Sequence, residues 1–360
     1  MSMTHTYALP HIERLEPYAL GEQPKPGRTC AKLNQNESPY PPSPAVLEAL
    51  RRMSEEALRR YPDPTAAALR EAIAERTGIA ADQIYCANGS SEIISLLFKL
   101  FVGPGGRAAV AEPGFGLYQT EAAGHQSACI PVPLLPDYRL DIDGLLSSGA
   151  EVIILIHPHA PTGLLTERED LERLIRSFPG LVVVDEAYID YAPSGSSILP
   201  LIGRYSNLLV LRTFSKSYGL SGLRAGYCAG SRELIGTFAK GGGIYNVDAL
   251  AQTLALAAVR DAAYMRGIVS RVVATRDAFA AELRRRGYDV LPSSANFVLC
   301  APPATGPDAQ AIYQGLAERD IYVRHYEHPR LRGLLRISIG TDEEMGGLTK
   351  ELDALAAESG

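Results

Sequence analysis

The residues best suited to chemistry lie in one block, Thr213-Phe214-Ser215-Lys216-Ser217-Tyr218-Gly219-Leu220-Ser221-Gly222-Leu223-Arg224-Ala225-Gly226, which directly follows an apolar run. A lysine desolvated beside other cations has a lowered pKa, and the neutral amine it then offers condenses with aldehydes. The glycine spacing around Lys216 is not that of a phosphate-cradling P-loop, so the amine is read as the reacting group. Asp185 closes a second apolar run, Leu181 to Val184. A carboxylate buried at the carboxyl end of a strand needs a cationic partner. Gly89-Ser90-Ser91-Glu92 opens a helical pattern, and the free N–H groups of a helix N-terminus bind phosphate. Arg224, with Thr213 and Ser215, would complete a phosphate cup through charge-assisted hydrogen bonds.

Short apolar runs must carry these groups: Gln83 to Ala87, Arg107 to Ala111, Val152 to Ile156, Leu181 to Val184 and Leu208 to Arg212. Rich in Val, Ile and Leu and without clean alternation, they read as strands buried on both faces and separated by helices. Thr166 to Ser177 begins with a capping-box pattern, Thr166 and Glu169, and Ser90 to Leu100 keeps its apolar residues on one face. The expected architecture is α/β, a mainly parallel sheet flanked by helices, over residues 40–255. Past Val247 a long Ala/Leu-rich stretch runs to about Arg286, followed by strand-like Phe297 to Cys300 and Leu335 to Ile339 and a closing helix over Asp342 to Ala357. Residues 256–360 are therefore read as a smaller α+β domain. The Pro-rich, irregular residues 1–39 are read as an arm or lid.

A length of 360 residues suits about two domains at ~150 residues each. Thirty-five basic against 41 acidic residues leave a net charge of −6, which gives no footprint for binding DNA or RNA. The five cysteines, Cys30, Cys86, Cys129, Cys228 and Cys300, are scattered without zinc-type spacing and are read as reduced. No apolar run approaches the ~18 to 20 residues that span a bilayer, and Met1 to Leu20 lacks a signal-peptide pattern, so a cytoplasmic protein without a membrane partner is expected. Val102-Gly103-Pro104-Gly105-Gly106 reads as a turn before a strand, not a dinucleotide loop, and His157 with His159 lacks the acidic partner of a metal site, so no metal is expected.

Together with Asp185-Glu186-Ala187-Tyr188, Asn88 to Glu92 and Pro161-Thr162-Gly163, the Lys216 block resembles the fold-type I pyridoxal-phosphate aminotransferases almost end to end. Leu33-Asn34-Gln35-Asn36-Glu37-Ser38-Pro39-Tyr40, Arg60-Tyr61-Pro62-Asp63, Tyr245-Asn246 and Leu335-Arg336-Ile337-Ser338-Ile339-Gly340-Thr341 follow the order and spacing of the histidinol-phosphate aminotransferase family. The resemblance implies pyridoxal 5′-phosphate as cofactor and Lys216, Asp185 and Tyr188 as catalytic residues. In it Lys216 forms the Schiff base, Asp185 meets the ring nitrogen and Tyr188 the ring hydroxyl. Phe115 would stack on the ring, and Gly89, Ser90, Ser91, Thr213, Ser215 and Arg224 would surround the phosphate. Tyr40 would reach the cofactor phosphate of a neighbouring subunit in a homodimer with shared sites. Tyr18, on the covering arm, Asn36, Tyr245, Arg324 and Arg336 would contact substrate, the two guanidinium forks suiting a phosphate.

The reaction so implied is transamination between histidinol phosphate and 2-oxoglutarate. Aminotransferases of aromatic or other specialised amino acids share the scaffold, as do decarboxylases of phosphorylated amino acids. A non-catalytic cofactor-binding regulator is a third reading, which leaves Lys216 without a purpose. Two departures from the family pattern stand out. Ala160 replaces the asparagine that donates to the ring hydroxyl, with His159 a candidate substitute, and Ile244 and Asp248 flank Tyr245-Asn246 where proline and asparagine are common.

Overall fold

The computed structural model describes residues 7–18, 21–24, 27 and 30–358, so parts of the predicted arm at 1–6, 19–20, 25–26 and 28–29 lie outside the described residues. The strands are β1 (Ala31–Lys32), β2 (Ile84–Ala87), β3 (Arg107–Glu112), β4 (Ala128–Pro133), β5 (Val152–Ile156), β6 (Leu181–Asp185), β7 (Leu208–Thr213), β8 (Gly226–Ala229), β9 (Asp289–Val290), β10 (Phe297–Ala301), β11 (Ile321–Tyr322) and β12 (Leu335–Ser338). Seven of them form one sheet in the order β2-β8-β7-β6-β5-β3-β4. Its pairings from β4 across to β7 are parallel, and β8 runs antiparallel to both β7 and β2.

This sheet has a core on each face, which is why its strands do not alternate in polarity. Ile153, Leu155, Val182, Val184, Leu208 and Val210 enter one core, while Ile154, Val183, Leu209 and Leu211 enter the other. Two strands of this sheet escaped the sequence reading. The edge strand β4 contains Pro131 and Pro133, residues tolerated where no neighbour needs their missing N–H, and β8 is too short to stand out.

Helix boundaries correct one reading and resolve another into its parts. The helix Arg168–Ser177 starts after Glu167, whose extended backbone supplies no side-chain cap, so Thr166 and Glu169 do not form the expected capping box. Glu169 and Asp170 fall in the first turn, where their charge meets the positive end of the helix dipole. The long stretch after Val247 breaks into Ala249–Arg260 and Ala262–Arg285 at Asp261, whose carboxylate caps the second helix through Tyr264 N at 3.3 Å.

A third core lies around the antiparallel sheet β12-β10-β9 and the helices Ala262–Arg285, Ala309–Glu318 and Asp342–Glu358, with Val298, Ile312, Leu316, Ile337 and Leu348 buried together. Strand β1 pairs in parallel with β11, and Leu33 is buried in this core. The N-terminal segment is thereby stitched to the C-terminal part of the chain. Among the described residues no helix is long and apolar enough to cross a membrane.

Candidate active site

The parallel strands end along one edge of the large sheet, the place where α/β sheets bind ligands, and a cavity of about 820 Å³ opens there. Asp185 is the last residue of β6 and Thr213 the last of β7. Because β8 is reversed, its first residue pairs with Thr213, and Arg224 just before it arrives at the same edge. Gly89 and Gly226 permit the fit: a Cβ on Gly89, at φ +82°, would lie 2.6 Å from the Arg224 guanidinium, and one on Gly226 would lie 2.7 Å from Ser90 N. The helix Ser90–Leu97 thus abuts the start of β8, and no side chain caps its N-terminus. Ser90 and Ser91 line the cavity beside Arg224, whose Nη1 donates to Ser215 Oγ at 3.2 Å, while Thr213 Oγ1 donates to Ser215 Oγ at 3.0 Å. Open helix amides, a guanidinium and hydroxyls make an anion site.

Asp185 is buried and accepts from Ala187 N at 3.0 Å and Tyr118 Oη at 3.4 Å, but forms no salt bridge among the described residues. Burial pushes its pKa up to about 6. Such a carboxylate is suited to a cationic ring nitrogen. Lys216 Nζ donates to Gln35 O at 2.9 Å. Burial, then the neighbouring Arg336 and Arg224, bring its pKa down to about 8 against the opposing pull of Glu37 and Asp185. The Tyr188 hydroxyl, raised to about 12 by burial, accepts from Asn36 Nδ2 at 3.1 Å. Phe115 supplies an aromatic wall, with Tyr18 edge-on at 5.7 Å and Tyr118 at 5.6 Å. An anion cup, an unpaired carboxylate, a poised amine and an aromatic face together fit pyridoxal phosphate.

The opposite wall comes from the part of the chain built around β12-β10-β9. Arg324 and Arg336 face each other in an antiparallel bridge, with N to O distances of 3.0 and 2.9 Å in the two directions. The Tyr326 ring lies 5.3 Å from one guanidinium carbon and 5.8 Å from the other. Between the two walls runs the segment Asn34 to Asn36. Arg336 Nη2 donates to Asn34 O at 2.6 Å, Lys216 to Gln35 O, and Asn36 to Tyr188.

Of the predicted site residues, Tyr18, Asn36, Ser90, Ser91, Phe115, Asp185, Tyr188, Thr213, Ser215, Lys216, Arg224, Arg324 and Arg336 converge on the cavity, and Gly89 shapes its rim through Arg224. Tyr40 and Tyr245 do not line it. The Tyr40 hydroxyl is enclosed by its own chain, with the Arg271 guanidinium 4.3 Å from the ring centre, and Tyr245 stacks on Tyr61 at 4.5 Å. Ala160 does line the cavity. His159, by contrast, is buried and bonded through Nδ1 to Thr162 Oγ1 at 2.9 Å, outside the wall.

Sequence reasoning assigned no role to Tyr118, Gln35 or Tyr326. Tyr118 and Tyr326 stand close to Phe115 and Arg324, a proximity that could have flagged them. Gln35 acts through its backbone, which leaves no trace in residue type.

Residues 28–352 match the family described as aminotransferase class I and II. The histidinol-phosphate aminotransferase of Syntrophus aciditrophicus (strain SB) is 39% identical over 353 residues, covering 96% of each chain. That of Geotalea uraniireducens (strain Rf4) is 41% identical over 345 residues, covering 96% of this chain and 97% of the relative. Among solved structures, the histidinol-phosphate aminotransferase from Sinorhizobium meliloti in complex with pyridoxal-5′-phosphate superposes with a TM-score of 0.91 at 27% identity, covering 99% of this chain and 100% of that one.

Proposed function

The chain belongs to the class I and II aminotransferases and, within them, to the histidinol-phosphate aminotransferases, and on that premise we propose that it moves an amino group between histidinol phosphate and 2-oxoglutarate with pyridoxal 5′-phosphate as cofactor. The observation that carries the substrate is the bridged pair Arg324 and Arg336, which share a cavity with Lys216. Two adjacent guanidinium forks match a phosphate dianion better than a single carboxylate.

Pyridoxal phosphate, when bound, supplies an aldehyde and an electron-poor ring that takes up the electron pair of the substrate's alpha carbon. Ser90, Ser91, Thr213, Ser215 and Arg224 would hold its phosphate, Asp185 a proton on its ring nitrogen, and Tyr188 its ring oxygen. With a pKa of about 8, Lys216 keeps an appreciable neutral fraction near neutral pH. Its Nζ therefore serves as nucleophile and, once free, as the base that removes and returns the proton at the substrate's alpha carbon. Arg336 receives the acidic groups of both substrates in turn, Arg324 the phosphate, and Tyr18 covers them.

The reading includes a homodimer. Leu58, Tyr61 and Ile244 are 64%, 80% and 82% exposed, and Tyr61 has a freedom to reach a partner copy that the enclosed Tyr40 lacks.

The test mixes cofactor-loaded protein with histidinol phosphate, aromatic amino acids and phosphorylated amino acids, following loss of the visible absorbance of the aldehyde form. Histidinol phosphate should convert the cofactor fastest. Preference for an aromatic amino acid, or release of carbon dioxide without an amino-form cofactor, would replace the reading with one of its rivals.

A further inference from the structure

Asn36 and Ser338 are both almost fully buried, at 1% and 2% exposure, and hydrogen-bond each other twice. Asn36 N donates to Ser338 Oγ at 2.8 Å, and Ser338 Oγ donates to Asn36 Oδ1 at 2.8 Å. The first bond comes from the backbone, so its direction is fixed, and it leaves the serine hydrogen to find an acceptor. The neighbouring carboxamide atom must then be its oxygen, which turns the Asn36 NH₂ toward Tyr188 Oη at 3.1 Å. Asn296 Nδ2, donating to Asn36 O at 3.0 Å, and Ser338 N, donating to Leu33 O at 2.9 Å, hold both backbones in place. Asn36 sits at φ +55°, a conformation asparagine tolerates better than most residues.

Tyr188, accepting from Asn36, keeps its own hydrogen for another partner. Were the carboxamide reversed, Ser338 Oγ would face two N–H donors with no acceptor for its hydrogen, and Tyr188 would turn its O–H back onto Asn36 Oδ1. Building on the reading that Tyr188 donates to the cofactor's ring oxygen, we propose that Ser338 is a positioning residue whose one hydroxyl hydrogen orients the Asn36 carboxamide and thereby turns the Tyr188 O–H into the cavity. Ala160 gives this device its weight. At the position where a second donor to that oxygen is expected there is a methyl group, so the polarity of one phenol decides whether the oxygen is met. Asp185, Lys216, Arg336 and Tyr326 also act on Tyr188, and none of them hydrogen-bonds Ser338 among the described residues.

The test uses the full chain loaded with pyridoxal 5′-phosphate and reads the pH midpoint of its visible absorbance, with melting temperature measured alongside. A ring oxygen that loses its donor holds the proton it shares with the Lys216 nitrogen more tightly, so the midpoint rises. Tyr188→Phe should raise it by about one to two units. Ser338→Ala should raise it by about half a unit, a threefold change in proton affinity. Ser338→Thr, which keeps the hydroxyl, should restore the original midpoint, and Ser338→Ala combined with Tyr188→Phe should shift no further than Tyr188→Phe alone.

If Ser338→Ala lowers the melting temperature but not the midpoint while Tyr188→Phe still shifts it, the relay is overturned and the proposed function stands. If Tyr188→Phe loads normally and shifts nothing, the underlying role of Tyr188 fails and takes the relay with it. Should Ser338→Ala not load, Asn36→Asp serves instead, since its carboxylate accepts from both hydroxyls and draws the Tyr188 hydrogen back. Its shift should be smaller in the Tyr188→Phe background than in the wild type, and equal shifts in the two would overturn the relay.

Discussion

Asp185→Asn should stabilise the cofactor-free protein while crippling the enzyme. In the fold Asp185 is buried with two hydrogen bonds and no salt bridge among the described residues, and its pKa rises from 3.8 to about 6. A carboxyl with a raised folded pKa holds its proton more tightly when folded. Its contribution is therefore fully present below pH 3.8 and is lost as pH climbs through about 6. At ~1.4 kcal/mol per unit, linkage puts the loss at about 1.6 kcal/mol by pH 5 and ~3 kcal/mol by pH 8. Asparagine has no charge to desolvate and still offers an oxygen to Ala187 N and an NH₂ to the Tyr118 oxygen. Urea unfolding of the two cofactor-free proteins should show a stability advantage for Asp185→Asn that about doubles between pH 5 and pH 8. Adding pyridoxal phosphate should reverse the order, because the cation the carboxylate lacks arrives with the ring. A pH-independent difference, or a less stable Asp185→Asn at pH 8, would refute the claim that Asp185 is held at a cost in the empty site.

Other changes test the remaining parts. Lys216→Ala should abolish transamination in a donor assay while leaving the melting temperature near that of the wild type, since the fold takes little more from this amine than the bond to Gln35 O. Arg336→Ala should raise KM for both histidinol phosphate and glutamate, and Arg324→Ala chiefly for histidinol phosphate. A lost charge-assisted bond of ~1.5 to 3 kcal/mol corresponds to about tenfold or more in kcat/KM, read from steady-state kinetics. Ala160→Asn should lower the pH midpoint of the visible band by about one to two units by restoring a donor, whereas His159→Ala should leave it unchanged because that ring is engaged by Thr162.

Much of this protein could be read from residue order alone. The strands β5, β6 and β7 were legible because burial on both faces demands uninterrupted Val, Ile and Leu, and β6 and β7 end on the groups that do chemistry, Asp185 and Thr213. Lys216, Arg224 and the Gly89-Ser90-Ser91 turn were legible because reactive and anion-binding groups need particular residue types at short range. Where the logic was purely local it could fail by one position, as at Thr166, since a helix starts where packing allows and not at the first suitable cap. What sequence could not supply was the meeting of distant segments. The reversal of β8, which delivers Arg224 to the cup, is a property of strand pairing. The bridge between Arg324 and Arg336 joins strand β12 to a residue outside any regular strand. Asn36, Tyr188 and Ser338 lie on three separate parts of the chain, and the direction of their hydrogen bonds exists only once all three are buried together, because a hydroxyl in water has no fixed polarity and one enclosed by the fold must take whichever partner remains.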